Sequence, residues 1–186
     1  MKIAILGWGS LIWNPQNLKL DNAIGWDENG PYLPIEYARI SNDGRLTLVI
    51  TENGTKVQTL HAISTYKTLD EAILDLAIRE GSGRKSIGYY DKIQDKLHNN
   101  TFKYGQNIKG WIDNTDIDAV IWTDLTEKWS IKSDTNLNPD NRINYLKSLR
   151  GNKYVRAEEY IRKTPIQIKT KYRALIEQEL KWVPIS

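Results

Sequence analysis

Residues 2–15 limit the fold more than any other stretch of the chain. The apolar run Ile3-Ala4-Ile5-Leu6 ends at Gly7-Trp8-Gly9, followed by Ser10-Leu11-Ile12-Trp13 and Asn14-Pro15. A short apolar run closed by glycines predicts a buried strand that breaks into a tight loop. Glycine at 7 and 9 lets the backbone turn, or lets another group approach its N–H groups closely. Successive N–H groups in such a turn form a concave anion-binding nest. Other cradles fail on spacing. A dinucleotide fingerprint needs glycine at position 12 and an immediate helix, where this chain has Ile12 and Pro15. No Gly-Lys-Ser/Thr follows for a phosphate loop, and Gly7-Trp8-Gly9-Ser10-Leu11 lacks the last glycine of a nucleophile elbow.

At 186 residues the chain is read as one domain, with a β-rich core over 1–137 and a helical extension over 138–186 packed on it. Cysteine is absent, which removes disulfides, zinc–thiolate sites and a cysteine nucleophile together. The two histidines, His61 and His98, have no second ligand at metal spacing, so no histidine metal site is expected. No apolar run approaches the roughly 18 residues a membrane span needs, and residues 1–15 lack secretory-signal features. No membrane partner and a cytoplasmic location are therefore expected. Nothing in the sequence sets an oligomeric state.

Charge is uneven. Residues 141–186 carry eleven Lys/Arg against four Glu, so +7, and the first 140 residues sum to −4. A basic segment of this kind serves nucleic acid or is the solvated face of ordinary helices. The second is preferred, and nucleic acid is not the expected partner. Seven tryptophans and ten tyrosines against one phenylalanine supply either core packing or a stacking surface.

Along the chain, residues 14–34 read as a long irregular loop, which in a compact domain is more often functional than idle. Leu33 to Ile40 alternates with period two, placing Ile35, Tyr37 and Arg39 on one face. Asn42-Asp43-Gly44 turns it into Arg45–Thr51, a hairpin. Val57 to Tyr66 is a third β-rich run. Thr68-Leu69-Asp70-Glu71 fits a capping box, followed by apolar residues at helical spacing as far as Gly81. Glu80 then stands at the last turn, where the macrodipole is unfavourable to a carboxylate. Ser86 to Tyr90 and Ile117 to Thr123 read as strands, and Ile108 to Trp111 as part of a short helix. Residues 91–104 have no clear pattern, and 125–136 read as loop. Asn138-Pro139 predicts a helix start running to about Arg150, stopped by Gly151. Val155–Arg162 and Tyr172–Leu180 are two more helices. The class is α+β, with a mostly antiparallel or mixed sheet, open or closed as a small barrel, and a helical C-terminal third.

Ile5-Leu6-Gly7-Trp8-Gly9-Ser10-Leu11-Ile12-Trp13-Asn14-Pro15 resembles the signature of the gamma-glutamylcyclotransferase superfamily, especially its ChaC-like branch. Two further stretches agree with it: the hairpin Asp43–Val49 after Arg39 and Ser41, and Arg79-Glu80-Gly81 followed by Gly88-Tyr89-Tyr90. The resemblance spans about residues 3–90. It implies a small mixed β-barrel with flanking helices and a cofactor-free enzyme that cyclises a gamma-glutamyl amide to 5-oxoproline, releasing the amine. On that resemblance Glu80 is the general acid/base. Gly7, Trp8, Gly9, Ser10 and Leu11 bind the gamma-glutamyl group, and Arg39 with Tyr89 or Tyr90 position the substrate. For its role the Glu80 carboxyl has to be drawn toward neutrality by burial, opposed by Arg79 or Arg84 if either points at it. Trp8 stands where the family usually has tyrosine. Two other functions stay open: a non-catalytic module that binds a gamma-glutamyl or other small carboxylate ligand, and a nucleic-acid-associated protein using the basic C-terminal third.

Overall fold

A computed structural model of the chain describes residues 1–98, 102–129 and 141–185. In chain order the elements are β1 (Ile3–Gly7), β2 (Trp26–Asp27), β3 (Tyr32–Ile40), β4 (Leu46–Ile50), β5 (Thr55–Gln58), β6 (Leu60–Ile63), α1 (Leu69–Arg79), β7 (Ile87–Asp91), β8 (Lys96–Leu97), α2 (Gly105–Ile112), β9 (Ala119–Thr123), α3 (Arg142–Ser148), α4 (Gly151–Lys163) and α5 (Lys171–Leu180). The fold is mixed α+β, with antiparallel and mixed sheets and five α-helices among the described residues. The chain divides into two compact units. The first holds residues 1–7, 14–33 and 58–125, and the second 8–13, 34–57 and 126–186.

The first unit is built on a six-stranded sheet in the order β2-β6-β1-β9-β7-β8. Its centre is β1, antiparallel to β6 with Leu6 opposite His61, and parallel to β9 with Ile5 opposite Ile121. Central strands need apolar residues on both faces, which explains why Ile3–Gly7 and Ala119–Trp122 are buried without alternation. α1 packs on β9 and β7 through Ala72, Ile73, Leu76 and Ala77, the positions its sequence spacing picks out. The capping box is altered. The Thr68 hydroxyl bonds the Glu71 carboxylate directly, and no side chain caps a backbone N–H at this helix start. Once those two side chains satisfy each other, neither remains for the backbone.

Gly88 is required by contact. A Cβ there would lie 2.3 Å from the Trp122 indole, which crosses the strand at its register partner. β8, only two residues long, pairs with the end of β7. It falls in the stretch without sequence pattern, because two residues cannot show a period.

His61 lies between β1 and β2, with its ring edge-on to Trp111 of α2 at 5.1 Å and its Nδ1 buried without a hydrogen-bond partner among the described residues. Burial pushes the imidazole below its ordinary value, with Asp27 pulling it back up and Lys2 adding to the fall. A depressed histidine favours the neutral ring in the folded state. Its share of stability is complete above the unfolded value near 6.5 and is lost as pH falls through that value toward the lower folded one. The stability advantage of wild type over His61→Gln should therefore shrink between pH 7 and pH 5 in paired denaturant titrations. A constant difference would remove this role.

The second unit has a three-stranded sheet, β4-β3-β5. The β3–β4 hairpin forms as its alternation predicts, with one correction. Tyr37 pairs with Leu48 but Arg39 pairs with Thr47, so Ala38 is an extra residue in a bulge. Paired residues share a face and Leu48 and Thr47 alternate, so Arg39 lies on the face opposite Tyr37. The Tyr37 face receives α4, whose Tyr160 ring packs edge-on at 6.5 Å. The Glu36 face receives the start of α5. The buried Glu36 carboxylate accepts hydrogen bonds from the Tyr37 and Tyr172 N–H groups and from the Thr170 and Thr55 hydroxyls. Thr170 is also the N-cap, accepting from the Arg173 N–H at 3.1 Å. Arg142, 6 % exposed, donates to the Tyr37 carbonyl and lies against the rings of Trp129 and Tyr172.

Three sequence expectations change here or lie beyond view. Val57–Tyr66 is not one strand, since β5 belongs to this sheet and β6 to the other, with Thr59 between them. Gly151 opens α4 and does not close α3, which ends at Ser148. Its φ of +56° is the left-handed conformation that glycine adopts freely, and it serves here at the chain's entry into a helix. The expected helix start at Asn138-Pro139 lies outside the described residues. Neither sheet closes on itself among the described residues. No helix there is long and apolar enough to cross a membrane.

Candidate active site

In the first unit the topology brings Glu80 to a defined place. β6 ends at Ile63, opposite Ala4 near the start of β1. α1 begins from that side of the sheet and, being about 16 Å long, carries the chain back toward the other. There β7 begins at Ile87, opposite Thr123. Extending the parallel β1/β9 register by two places sets Thr123 beside Gly7. Glu80 thus caps α1 at the end of the sheet where the parallel pair finishes, the side on which open α/β sheets bind ligands.

The Glu80 carboxylate is 16 % exposed and ion-paired with the neighbouring Arg79, itself 8 % exposed. Arg79 also donates from Nη2 to the Asn14 carbonyl at 2.7 Å, which fixes the guanidinium from a second side. Arg84 does not point at Glu80. It pairs with Asp70 at the start of α1. Close by in sequence, the Ser82 hydroxyl is buried without a hydrogen-bond partner among the described residues.

Tyr89 and Tyr90 fall on opposite faces of β7. Tyr90 is buried, donates to Asp95 at 2.8 Å and has Lys109 of α2 over its ring at 5.8 Å. Tyr89 lies on the other face with Ile121 and Ile5, and its ring meets His98 at 5.1 Å. The tyrosine that shares a face with Gly7 and Thr123 is therefore Tyr89. A further acid, Asp124, follows Thr123 with its N–H bonded to the Ser86 carbonyl at 2.8 Å. Burial pushes its carboxyl above the usual range, while His98 and the Trp122 indole pull it back down. Sequence reading passed over Asp124. Its signal was an acid placed directly behind the run Ala119–Thr123.

The second unit carries the loop itself. Trp8 and Leu11 are buried, and the Ile12 N–H closes a turn on the Gly9 carbonyl at 3.0 Å. The N–H groups of Trp8, Gly9 and Leu11 donate to no acceptor among the described residues. The Trp8 indole donates to the Leu48 carbonyl at 3.3 Å, and the Leu48 N–H donates to the Tyr160 hydroxyl at 3.3 Å. That hydroxyl lies 2.5 Å from where a Cβ on Gly9 would stand. The close approach that glycine at position 9 allows is thus made by the chain's own α4. Trp13 meets the same Tyr160 ring edge-on at 5.4 Å, and the Arg45 guanidinium lies over it at 5.5 Å.

Arg45 is held from its other side by Asp43, through Nε at 2.8 Å. Burial would raise the Asp43 carboxyl, but the Ser41 hydroxyl and Arg45 outweigh it and hold the group below the usual carboxylate range. Arg39, the cation picked out by sequence, donates to the Thr126 carbonyl at 2.7 Å. Tyr160, Trp13 and Arg45 were missed as a group because they come from three distant stretches. Only the paired spacing Asp43-x-Arg45 was visible locally.

Among the described residues no cluster of His, Asp or Glu could hold a metal ion. Comparison with protein-family models, with curated proteins and with solved structures finds no match to this chain.

Proposed function

We propose that the protein is a gamma-glutamylcyclotransferase-like enzyme. The observation that carries this reading is the position of Glu80, a nearly buried carboxylate at the sheet end where β1 passes into Gly7. Its neighbour Arg79 is bonded to Asn14, the residue that follows the glycine loop in sequence. The reaction needs no enzyme nucleophile. The substrate's α-amine attacks its own γ-carbonyl carbon, forming the lactam C–N bond, and the γ C–N bond to the leaving amine breaks. Glu80 takes the proton lost by the α-nitrogen and returns it to the departing nitrogen. On the resemblance, the loop of residues 7–11 binds the gamma-glutamyl group. Tyr89, on the face of Gly7, is the positioning tyrosine of the pair.

The test is 5-oxoproline release from a panel of gamma-glutamyl amines, amino acids and peptides, glutathione included. Release from at least one substrate is expected, and the best substrate names the leaving group. A protein that binds these compounds without releasing 5-oxoproline would be a binding module.

The basic C-terminal segment carries internal ion pairs. Each of its four glutamates is paired with a cation: Glu158 with Arg162, Glu159 with Lys163, Glu177 with Arg173 and Glu179 with Lys147. Arg142 is engaged inside the unit by Tyr37, Trp129 and Tyr172.

A further inference from the structure

We propose that His61, Asp27, Asn29 and Trp111 form a proton-operated latch that fastens helix α2 over the edge strand β2. The latch lies within the first unit and is independent of the enzyme reading. β2 is two residues long and forms one margin of the six-stranded sheet. Backbone pairing over so short a stretch holds an edge weakly, so side chains have to complete the attachment. Two do so from α2. The Trp111 indole donates to the Asn29 carbonyl at 2.7 Å, and the Asn107 amide donates to the Tyr32 carbonyl at 3.3 Å. Asn29 is in turn set by Asp27, whose carboxylate accepts the Asn29 N–H at 2.7 Å.

His61 closes this ring of contacts. It stands opposite Asp27 in the β2–β6 register, so the two side chains share a sheet face, and its ring meets Trp111 at 5.1 Å. Its buried Nδ1 has no hydrogen-bond partner among the described residues. In the neutral ring that nitrogen is an idle acceptor. A proton there makes it a charged donor in need of an acceptor. Asp27, directly across the strand pair, is the carboxylate positioned to serve, and serving withdraws it from the Asn29 N–H. The Asn29 carbonyl is then no longer fixed for the Trp111 indole, and the hold of α2 on the edge is released. The element set free is the end of the irregular stretch 14–34.

Few charges surround the ring. Asp27 comes from β2 and Lys2 from the residue before β1, where Lys2 is itself paired with Asp116. β1 presents Leu6, and the one charged residue of α2, Lys109, is paired with Asp95. Burial outweighs the pull of Asp27 and holds the imidazole below its ordinary value. The closed latch therefore favours the neutral ring. It is complete above the open-state value near 6.5 and weakens as pH falls through that value toward the lower closed one.

The experiment follows hydrogen exchange of the tryptophan indole N–H groups by NMR at about pH 7.5 and about pH 5, on either side of the ordinary histidine value. Rates are corrected for the intrinsic pH dependence of exchange, and Trp111→Phe assigns the Trp111 signal. In wild type, Trp111 should lose protection about tenfold or more at the lower pH relative to Trp122, which is buried in the same sheet. That is the change a tenfold stronger proton affinity of the open state provides. His61→Gln should keep Trp111 equally protected at both pH values. His98→Gln, which alters the chain's other histidine, should behave as wild type.

Equal protection of Trp111 at both pH values in wild type overturns the latch, and so does the same acid loss in His61→Gln. His98→Gln also leaves His61 as the sole histidine, so its ring nitrogens can be titrated directly with the latch itself unaltered. A midpoint below about 6.5, with Trp111 protection lost over the same range, upholds the proposal, and a midpoint at or above it removes it.

Discussion

Glu80→Gln should lower 5-oxoproline release by at least about 100-fold, within the roughly 10²–10⁴ range that general acid–base groups supply. Glutamine keeps the shape and an acceptor oxygen for Arg79 but cannot carry the proton between the two nitrogens. KM should change little, because glutamine keeps the size of the side chain. Losing the ion pair to the nearly buried Arg79 should also cost about 1–3 kcal/mol of stability. The assay is therefore run well below the variant's unfolding midpoint, with circular dichroism confirming the fold. Glu80→Asp, which keeps the acid but withdraws it by one methylene, should retain measurable activity. Full activity in Glu80→Gln would transfer the proton-carrying role elsewhere, and Asp124 is the first group to examine, being an acid at the same sheet end with its carboxyl pushed up by burial.

Gly9→Ala should destabilise the protein by about 1–3 kcal/mol, the usual cost of forcing a methyl into filled space. The new Cβ would lie 2.5 Å from the Tyr160 oxygen, so either the loop shifts or the hydroxyl leaves the Leu48 N–H. Tyr160→Phe removes that oxygen and leaves the ring carbon 3.4 Å from the added methyl, an ordinary contact. The two substitutions should thus be coupled. In a double-mutant cycle, Gly9→Ala should cost roughly 1 kcal/mol less in the Tyr160→Phe background than in wild type. Strict additivity would mean that glycine at position 9 answers to something other than Tyr160. In the same pair of variants, recovery of KM alongside recovery of stability would tie loop shape to ligand binding.

Local sequence carried much of the framework. The first strand, the hairpin at Asn42-Asp43-Gly44 and the helix ending at Glu80 were each legible, because periodicity and turn residues act over a few positions. The position of Glu80 at a helix end could be read from Gly81, whose φ of +58° is the left-handed conformation expected just past a helix. What escaped depended on long-range pairing. The bulge at Ala38 leaves no mark in the alternation of Leu33–Ile40, yet it sends Arg39 to the face opposite Tyr37. Val57–Tyr66 reads as one apolar run because both sheets demand the same residue types, and only partner choice divides it at Thr59. The choice between Tyr89 and Tyr90 needed the register with β9. The group around Tyr160 joins residues 9, 13, 45, 48 and 160, a combination no window of sequence displays.

The buried carboxylate of Glu36 has a consequence for how the protein is made. Its closing hydroxyl, Thr170, lies 134 residues further along the chain. At roughly 5–20 residues per second of synthesis, Glu36 leaves the ribosome about 7–27 seconds before that partner exists. During this interval β3 and β4 can pair, but the sheet face bearing Glu36 has to stay hydrated, since an ion without its donors resists burial. The second unit therefore cannot mature from its own hairpin first and wait for the rest. Its assembly waits for α5, and a chain cut before α5 would display an open acidic sheet face to the cell's quality control.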